Sequence, residues 1–303
     1  MIKQLKKLIY QWISKTFMDG CSNYNSLQVR KSCRSKEQAR DVFASGNIPH
    51  AQGLIFFNPF KAVQFAKEFG FPLVIKPNVS GFSRGSHFPI KNYQELCKAI
   101  FFAKLWWPYT VVEQYLQGNN YRVVAANGKI MSVLQRYAPF VNGDGKATIS
   151  QLIDQENALR ESMGLYPCMS PLQKGPQTLS FLAKQGYNLS TVPQLDEQVT
   201  LFYRISLAPG GVVRVIDKST LPEANQTLFK DVLKLFDANI LGIDVILEKG
   251  IETDFREQKC IFLEVNSRPY LKMHAYPRYG KAEDLSGDFE QLEQLDIQQS
   301  DTY

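Results

Sequence analysis

The sequence predicts an α+β fold of two lobes, and the order of apolar segments along the chain supports that prediction. Residues 59–105 follow the order helix, short apolar strand, glycine-containing loop and helix, which is typical of a small α+β lobe. Further along, β-branched runs of strand length at 242–246 and 261–266 come after an amphipathic segment at 223–238. This pattern is expected for strands with a helix packed behind them. The 303 residues are enough for one large domain or for two lobes.

Composition narrows the classes of function. The formal net charge of +6 favours phosphate-bearing ligands, and no nucleic acid is expected as a partner. The five cysteines show no CxxC spacing and cannot all be paired, which suits structural thiols in a reducing compartment. The sequence contains no run of about 18 apolar residues, so no transmembrane helix is predicted. We therefore expect a cytoplasmic protein.

Residues 1–34 form a basic N-terminal segment. Apolar residues recur at helical spacing over residues 2–17, with lysines on the other side. This pattern predicts a basic amphipathic helix and not a signal peptide, because lysines interrupt the apolar run. Such a helix docks on the protein's own body or on a second subunit, or it lies on an anionic membrane surface. We favour docking, since globular proteins commonly contain such helices, and we expect a homo-oligomer.

The loop after the apolar strand at 71–77 is a candidate phosphate-binding loop. Glycines let backbone N–H groups approach phosphate oxygens, and Lys76 at the end of the strand supplies a positive charge. The Gly-Lys-Ser/Thr ending of a Walker loop is missing, and an ordinary turn is the alternative interpretation. The small loop residues that could approach phosphate are Ser80, Gly81, Ser83 and Gly85.

The two strands near the C-terminus carry a candidate metal site. Asp244 and Glu264 occupy matching places in these strands, so neighbouring strands would bring their carboxylates side by side. Asn266 projects from the same strand face as Glu264, since side chains alternate along a strand. Two carboxylates and an amide oxygen suit Mg²⁺ when phosphates and water complete its coordination. Edge strands whose acids face solvent are the alternative.

The order of these motifs resembles the ATP-grasp superfamily. Between the loop and the acidic strands lies the run Val112-Glu113-Gln114-Tyr115-Leu116-Gln117-Gly118, and Tyr121-Arg122 follows it. Within the superfamily, residues 35–283 look most similar to the ATP-grasp module of cyanophycin synthetase and of bifunctional glutathione synthetases. The closer resemblance rests on Val141-Asn142-Gly143-Asp144-Gly145, Gly210-Gly211, Met273-His274 and Pro277.

The resemblance implies an ATP-grasp fold in which ATP and Mg²⁺ lie between two α+β lobes. The lobes are expected at 35–110 and 111–283, followed by an acidic tail at 284–303. A small insertion with two helices is expected at 146–200. We also expect a hairpin around Gly210-Gly211, between strands at 199–207 and 212–216.

The resemblance also implies a set of nucleotide-binding residues. Lys36 and Lys76 would contact phosphates, Glu113 would bond near the adenine amino group, and backbone groups of 114–116 would bind the adenine edge. Relatives place a ribose-binding acid at the position of Asn120, which can hydrogen-bond a diol without charge. The full set is Lys36, Lys76, Ser80, Gly81, Ser83, Gly85, Glu113, Gln114, Tyr115, Leu116 and Asn120.

The same resemblance assigns metal ligands and catalytic arginines. Glu264 would bridge two Mg²⁺ ions, or Mn²⁺ ions, with Asp244 on one and Asn266 on the other. Arg122 and Arg136 would lie near the transferred phosphoryl group or the acyl intermediate, where cations stabilise developing negative charge. A structural ion pair is the alternative for each arginine.

The resemblance defines the roles of five further residues less completely. Arg268 would hold a substrate carboxylate, because a guanidinium fork matches that group. His274 either orients a group by hydrogen bonding or is structural. The γ-phosphate contact stays open among Arg204, Arg214 and Lys218.

The implied activity is that of an ATP-dependent carboxylate-amine ligase. ATP would convert a carboxylate to an acyl phosphate, an amine would attack it, and ADP and phosphate would be released. The acceptor is expected to be an amino acid or a peptide. Relatives carry a whole domain before residue 35, and we expect a partner subunit or an open pocket to replace it.

Two alternatives to this activity remain open. One is the same chemistry on a macromolecular acceptor, such as a protein tail, a carrier protein or a growing poly-amino acid. The other is a catalytically inactive nucleotide-binding regulatory protein.

Overall fold

The computed structural model of the chain describes residues 24–34, 36–78 and 85–285. The predicted N-terminal helix at 2–17, the loop residues Ser80, Gly81 and Ser83, and the tail from residue 286 lie outside these ranges.

The chain forms two compact units. The first takes residues up to Val133 together with Asp217–Tyr270, and the second takes Leu134–Ile216 and Leu271–Leu285. Both predicted lobes contribute residues to the first unit, so the lobe boundary at residue 110 stays a prediction.

The described residues form eight α-helices. They are α1 (Leu27–Arg34), α2 (Lys36–Ser45), α3 (Pro59–Phe69), α4 (Tyr93–Trp106), α5 (Ile149–Ser162), α6 (Pro176–Ala183), α7 (Glu223–Leu235) and α8 (Lys272–Ala275). None of the helices in this part of the chain is both long and apolar enough to cross a membrane.

The same described residues form eleven β-strands. They are β1 (Gly53–Phe56), β2 (Leu73–Pro77), β3 (His87–Ile90), β4 (Thr110–Gln114), β5 (Asn119–Ala126), β6 (Lys129–Tyr137), β7 (Phe140–Asn142), β8 (Gln198–Thr200), β9 (Val212–Ile216), β10 (Ile240–Leu247) and β11 (Cys260–Asn266).

Local sequence signals explain where the longer helices begin. The Asn58 side chain accepts a hydrogen bond from Phe60 N at the start of α3, and Asn92 caps α4 in the same way. Thr148 and Gln151 form a capping box at the start of α5. These side chains satisfy N–H groups that have no partner within the first turn of a helix. The helices predicted within 59–105, 146–200 and 223–238 are confirmed.

A four-stranded sheet with the order β1-β4-β2-β3 lies in the first unit. Phe56, Leu73 and Ile75 from this sheet pack in one apolar cluster with residues of α3 and α4, such as Phe65 and Leu96. The alternation of buried and half-buried residues along β2 leaves Lys76 outside this cluster.

The second sheet has five strands in the order β11-β10-β5-β6-β9. Strands β5 and β6 are joined at Asn127 and Gly128, which both have positive φ angles of 50° and 70°. This conformation is that of a tight hairpin turn, which the Asn-Gly dipeptide favours. Strand β10 is buried along most of its length, and it pairs antiparallel with both β11 and β5.

The hairpin predicted around Gly210-Gly211 is wrong. Strand β8 ends at Thr200 and pairs with β7 in a separate two-stranded sheet. After Thr200 the chain leaves this sheet, and Leu201 is buried in a cluster with residues of α5 and α6. Gly210 N and Gly211 N donate to Leu207 O and Ser206 O in a compact turn.

One buried side chain fixes the chain before α1 onto the five-stranded sheet. Asn25 is 2% exposed and donates to Ile240 O at 2.7 Å and to Ser267 O at 2.9 Å. Its carbonyl oxygen accepts from Asn239 N at 2.9 Å and from Ile240 N at 3.3 Å. Asn25 therefore satisfies backbone groups next to both strands that carry the candidate metal ligands.

We expect Asn25→Ala to lower the free energy of unfolding by about 2–3 kcal/mol, because buried backbone groups lose their partners. Urea denaturation measures this change. The exposed Asn142→Ala is the control and should change the free energy by less than about 0.5 kcal/mol. Equal effects of the two substitutions would show that Asn25 does not anchor this segment.

Candidate active site

The predicted metal ligands lie together on one face of the five-stranded sheet. In the observed register Asp244 of β10 is directly opposite Glu264 of β11, and Gly242 is opposite Asn266. On the other side of β10, Asp244 is opposite Arg122 of β5. Directly opposite residues in an antiparallel pair share a face. The predicted adjacency of Asp244 and Glu264 is therefore confirmed, and Arg122 completes a row of three charged residues.

Arg122 and Asp244 form a buried, two-pronged ion pair. Arg122 Nε and Nη2 donate to the two carboxylate oxygens of Asp244, the second at 2.9 Å. The two residues are 7% and 3% exposed. Burial alone lowers the pKa of Arg122, but the Asp244 carboxylate beside it raises that pKa above its ordinary value. Arg122 therefore stays charged and neutralises Asp244 in the centre of the sheet.

Gly242 leaves the space that this ion pair needs. A Cβ at Gly242 would lie 2.9 Å from Pro269 Cβ and 3.2 Å from Arg122 Nη1. Any larger residue would push the guanidinium or the chain after β11 out of place. The sequence signal for this role is the glycine in an otherwise apolar strand.

The donor set on this face fits a divalent cation. Asp244, Glu264 and Asn266 supply two carboxylates and an amide, which are oxygen ligands of the kind that Mg²⁺ takes. A carboxylate offers about four lone-pair positions, so Asp244 keeps acceptor capacity beyond its bonds to Arg122. In the described ranges Asn266 Nδ2 is buried without a hydrogen-bond partner. No group of three or more His, Cys, Asp or Glu side chains forms a metal site among those residues.

A cluster of cations surrounds Glu113 in the four-stranded sheet. Lys76 of β2 forms an ion pair with Glu113 of β4, and Arg40 of α2 approaches the same carboxylate at 4.0 Å. The resemblance assigns Glu113 to the adenine amino group, whereas here its carboxylate is held by Lys76. Arg40 is a further member of the cluster that the resemblance does not include, although it lies one helical turn after Lys36 and so on the same side of α2.

Gly53 makes room for this cluster. It lies opposite Glu113 in the β1–β4 register, and a Cβ there would lie 2.8 Å from Glu113 Cγ and 3.3 Å from Arg40 Nη1. Nothing in the sequence marks Gly53, because it begins a strand after an irregular segment.

Lys36 interacts electrostatically with both the metal-ligand face and the Glu113 cluster. Burial lowers the pKa of Lys36, and the positive charge of Lys76 lowers it further. The carboxylates of Glu264 and Glu113 act in the opposite direction. Lys36 is therefore close enough to both the metal-ligand face and the Glu113 cluster for its charge to be felt by each.

The end of β4 and the residue after it offer fewer free backbone N–H groups to adenine than expected. Gln114 N donates to Gln52 O at 3.0 Å, and Tyr115 N donates to Pro72 O at 3.1 Å. These two donors are therefore not available to an adenine edge. Burial raises the pKa of the Tyr115 hydroxyl, and the Tyr115 ring stacks on Phe88 with centroids 6.1 Å apart. The carbonyl oxygens of Gln114 and Tyr115 and the backbone of Leu116 stay predicted contacts of the adenine edge.

Gly85, at the end of the phosphate-loop segment, has a conformation that requires glycine. Its φ is +71°, and a Cβ would lie 2.7 Å from Trp106 Cδ1 and 2.8 Å from Pro77 Cγ. The loop end is thus packed against β2 and α4. Asn120 of β5 is 8% exposed and shares the sheet face of Arg122.

The three cations among which the γ-phosphate contact stays open have other contacts in the structure. Lys218 Nζ donates to Met131 O, which gives it a structural partner. In the second unit, Arg204 lies over the Phe202 and Tyr203 rings and Arg214 over the Tyr279 ring.

The structure gives the position and burial of three further predicted residues but does not test their roles. Arg268 is half-buried after β11, Arg136 is half-buried in the part of β6 that belongs to the second unit, and His274 is fully buried in α8. Their predicted roles stay predictions.

The two sheets and the charged face define the class of protein. Solved structures share the fold: a bifunctional glutathione synthetase from Pasteurella multocida has a TM-score of 0.65 at 22% identity, over 90% of this chain and 38% of that one. The ATP-grasp ligase PsnB, complexed with minimal precursor, has a TM-score of 0.51 at 12% identity, over 89% and 62%. The chain therefore has the ATP-grasp fold, and the predicted fold class is confirmed.

The sequence relatives of the chain agree with the predicted resemblance to ATP-grasp ligases. It is 30% identical to cyanophycin synthetase of Synechocystis sp. over 264 residues, which are 86% of this chain and 30% of that protein. It is 26% identical to the glutathione biosynthesis bifunctional protein GshAB of Listeria monocytogenes, over 84% and 32%. The chain thus spans about a third of the length of these relatives. No family model matches it.

We expect Arg122→Met to lower the free energy of unfolding by about 3–5 kcal/mol, because Asp244 would stay buried without its partner. Urea denaturation checks this value. The control is Arg256→Met, which breaks an exposed ion pair with Asp254 and should cost less than about 1 kcal/mol.

The double variant Arg122→Met with Asp244→Leu removes both charges and should recover most of the lost stability. If the double variant is as unstable as the sum of the single variants, the pair is not what holds β5 and β10 together.

We expect Lys36→Met to be more stable than wild type at pH 7. The pKa of Lys36 lies below its ordinary value of 10.5 in the folded chain, so the unfolded chain binds more protons in the window between the two values. Wild-type stability therefore rises with pH across this window, and the advantage of Lys36→Met shrinks as pH approaches 10.5. Urea denaturation at several pH values measures the difference, with the exposed Lys67→Met as control. An advantage that does not change with pH would contradict this account.

Proposed function

We propose that the chain is an ATP-dependent carboxylate-amine ligase that forms an amide or peptide-like bond and releases ADP and phosphate. The observation that carries the proposal is the convergence, in one unit, of Lys36 and Lys76 with Asp244 and Glu264. Cations that bind phosphate and carboxylates that bind a divalent ion are the two requirements of phosphoryl transfer. The names of the relatives, cyanophycin synthetase and the bifunctional glutathione protein, are consistent with amide-bond formation.

The charge balance around Glu113 supports phosphate binding. Lys36, Arg40 and Lys76 bring three positive charges near a single carboxylate of this sheet. Burial of like charges is costly unless an anion compensates them. A nucleotide phosphate supplies such an anion, and the lysines then neutralise charge that develops as the phosphoryl group leaves.

The face of β10 and β11 supports binding of a divalent cation by Asp244, Glu264 and Asn266. Bound there, Mg²⁺ or Mn²⁺ would neutralise phosphate oxygens and lower the barrier for their transfer. Arg122 holds Asp244 in place through both carboxylate oxygens. We therefore give Arg122 an orienting role in addition to the proposed contact with the reacting groups.

The proposed reaction has two steps. A substrate carboxylate takes the terminal phosphoryl group of ATP to give an acyl phosphate and ADP, and an amine then attacks the acyl carbon and releases phosphate. No enzyme nucleophile is required. Consistent with this, burial raises the pKa of the Cys33 and Cys260 thiols to about 12, which keeps both protonated.

The proposed acceptor is an amino acid or a peptide. A solved ATP-grasp ligase of the same fold, PsnB, is complexed with minimal precursor, so a macromolecular acceptor is the second candidate. Nucleotide binding without turnover is the third, and two observations favour it: Asn120 replaces an expected acid, and Arg122 occupies both oxygens of Asp244.

We expect Glu264→Gln to reduce Mg²⁺-dependent release of ADP and phosphate by at least about 100-fold, because a charged ligand of the phosphoryl-transfer site is lost. The assay supplies ATP with pooled pairs of amino acids and short peptides. The matched control is Glu248→Gln, an exposed glutamate directly after β10, which should retain wild-type activity.

ATP affinity is measured in parallel by calorimetry. Release that requires both an acid and an amine and is lost in Glu264→Gln supports the ligase. ATP binding without release for any pool, including peptide pools, contradicts small-molecule ligation and favours the other candidates. Full activity of Glu264→Gln contradicts the proposed metal site.

A further inference from the structure

A large apolar surface is exposed in the first unit, on α3 and α4 and the residue Phe57 before α3. Its members expose between 51% and 74% of their area. At about 200 Å² for each ring, the five aromatic members expose on the order of 600 Å². This area lies at the upper limit for the largest apolar patch of a typical monomer, about 300–600 Å². We call it the aromatic surface: Phe57, Phe60, Phe101, Phe102, Leu105 and Trp106.

The aromatic surface is held together by specific contacts. Lys104 Nζ donates to Phe57 O and Pro108 O, both at 2.7 Å, and lies 4.9 Å from the centre of the Phe57 ring. These bonds tie the start of α3 to the end of α4. The Phe101 and Phe102 rings are 5.4 Å apart, and Trp106 packs on Gly85. The surface is therefore a fixed feature of the first unit.

The charges around the aromatic surface are mostly positive. Residues 57–67 and 96–109 contain four lysines and no aspartate or glutamate, and one glutamate, Glu68 or Glu95, adjoins each range. Lys61 and Lys98 are exposed beside Phe60 and Phe101 along their helices. A partner that covers this surface must therefore combine apolar side chains with negative charge.

Residues 286–303 of the chain have this chemistry. The segment carries five acids, Asp288, Glu290, Glu293, Asp296 and Asp301, and no lysine or arginine. Phe289, Leu292 and Leu295 lie between the acids. We propose that residues 286–303 cover the aromatic surface of the same molecule, with their apolar side chains on the rings and their acids beside Lys61 and Lys98.

The segment is long for a chain end. Eighteen residues follow Leu285, and they span up to about 60 Å when extended. Covalent attachment also gives the segment an effective concentration on the order of millimolar at the surface.

The other occupants fit the charges less well. A symmetric contact with a second copy through this surface would place the same lysines against each other, which is unfavourable. An anionic lipid surface matches the lysines, but it must displace an acidic segment that is attached to the same chain. The inference does not depend on the proposed ligase activity.

Carbodiimide cross-linking of the full chain tests the proposal directly, because it joins lysine amines to carboxylates that are in contact. We expect mass spectrometry to find Lys61 or Lys98 joined to Asp288, Glu290, Glu293 or Asp296. In a mixture of ¹⁴N- and ¹⁵N-labelled protein, both linked peptides should carry the same isotope. Links from these acids to other lysines only, or links of mixed isotope, would overturn the proposal.

A full-length variant provides a second test. Phe289→Ser with Leu292→Ser should raise the population with an uncovered surface by about tenfold or more, because two buried apolar side chains are lost. Dye binding and acrylamide quenching of Trp106 and Trp107 report this change. The matched control is Gln298→Ser with Gln299→Ser in the same segment, and equal behaviour of the two variants contradicts the proposal.

Vesicles containing phosphatidylserine distinguish the lipid alternative. We expect that the wild-type chain does not bind these vesicles through the aromatic surface. Binding that is lost in Phe101→Ser with Leu105→Ser would assign the surface to a membrane and overturn the proposal.

Discussion

The candidate site depends on the buried ion pair between Arg122 and Asp244. Both side chains lie in the centre of the five-stranded sheet, and neither charge is tolerable there without the other. The pair fixes the register of β5 against β10, since a shift by one residue would turn either charge to the opposite face. The same register places Asp244 opposite Glu264. One interaction thus positions the strands and presents the acidic pair, while Gly242 leaves room for the guanidinium.

The second feature is an excess of positive charge that the fold itself does not fully compensate. Lys36, Arg40 and Lys76 approach Glu113 from α2 and β2. Burial and the Lys76 charge lower the pKa of Lys36, so the folded chain holds this lysine at a cost in free energy. Groups held in this way are typical of functional sites, where a ligand supplies the missing countercharge.

Buried ion pairs also organise the irregular part of the second unit. Glu156 of α5 accepts hydrogen bonds from Arg160 and Arg278 at 2.9 Å. Burial raises the pKa of Glu156, but the two arginines outweigh that effect and lower it. Arg160 also donates to Ser170 O and Gly210 O. The network fixes the turn around Gly210 in a segment without strand pairing.

The sequence by itself determined the elements and the acidic pair. Apolar spacing predicted the main helices, and the matching places of Asp244 and Glu264 predicted their adjacency. Local residues also fix the helix starts and the Asn127-Gly128 turn. These signals are local, because they depend on residues a few positions apart. Only the tertiary structure decided that Arg122 pairs with Asp244, 122 residues away, that Arg40 joins the Glu113 cluster, and that β8 pairs with β7. Register and partner choice between distant strands depend on packing of the whole sheet, which no local pattern specifies.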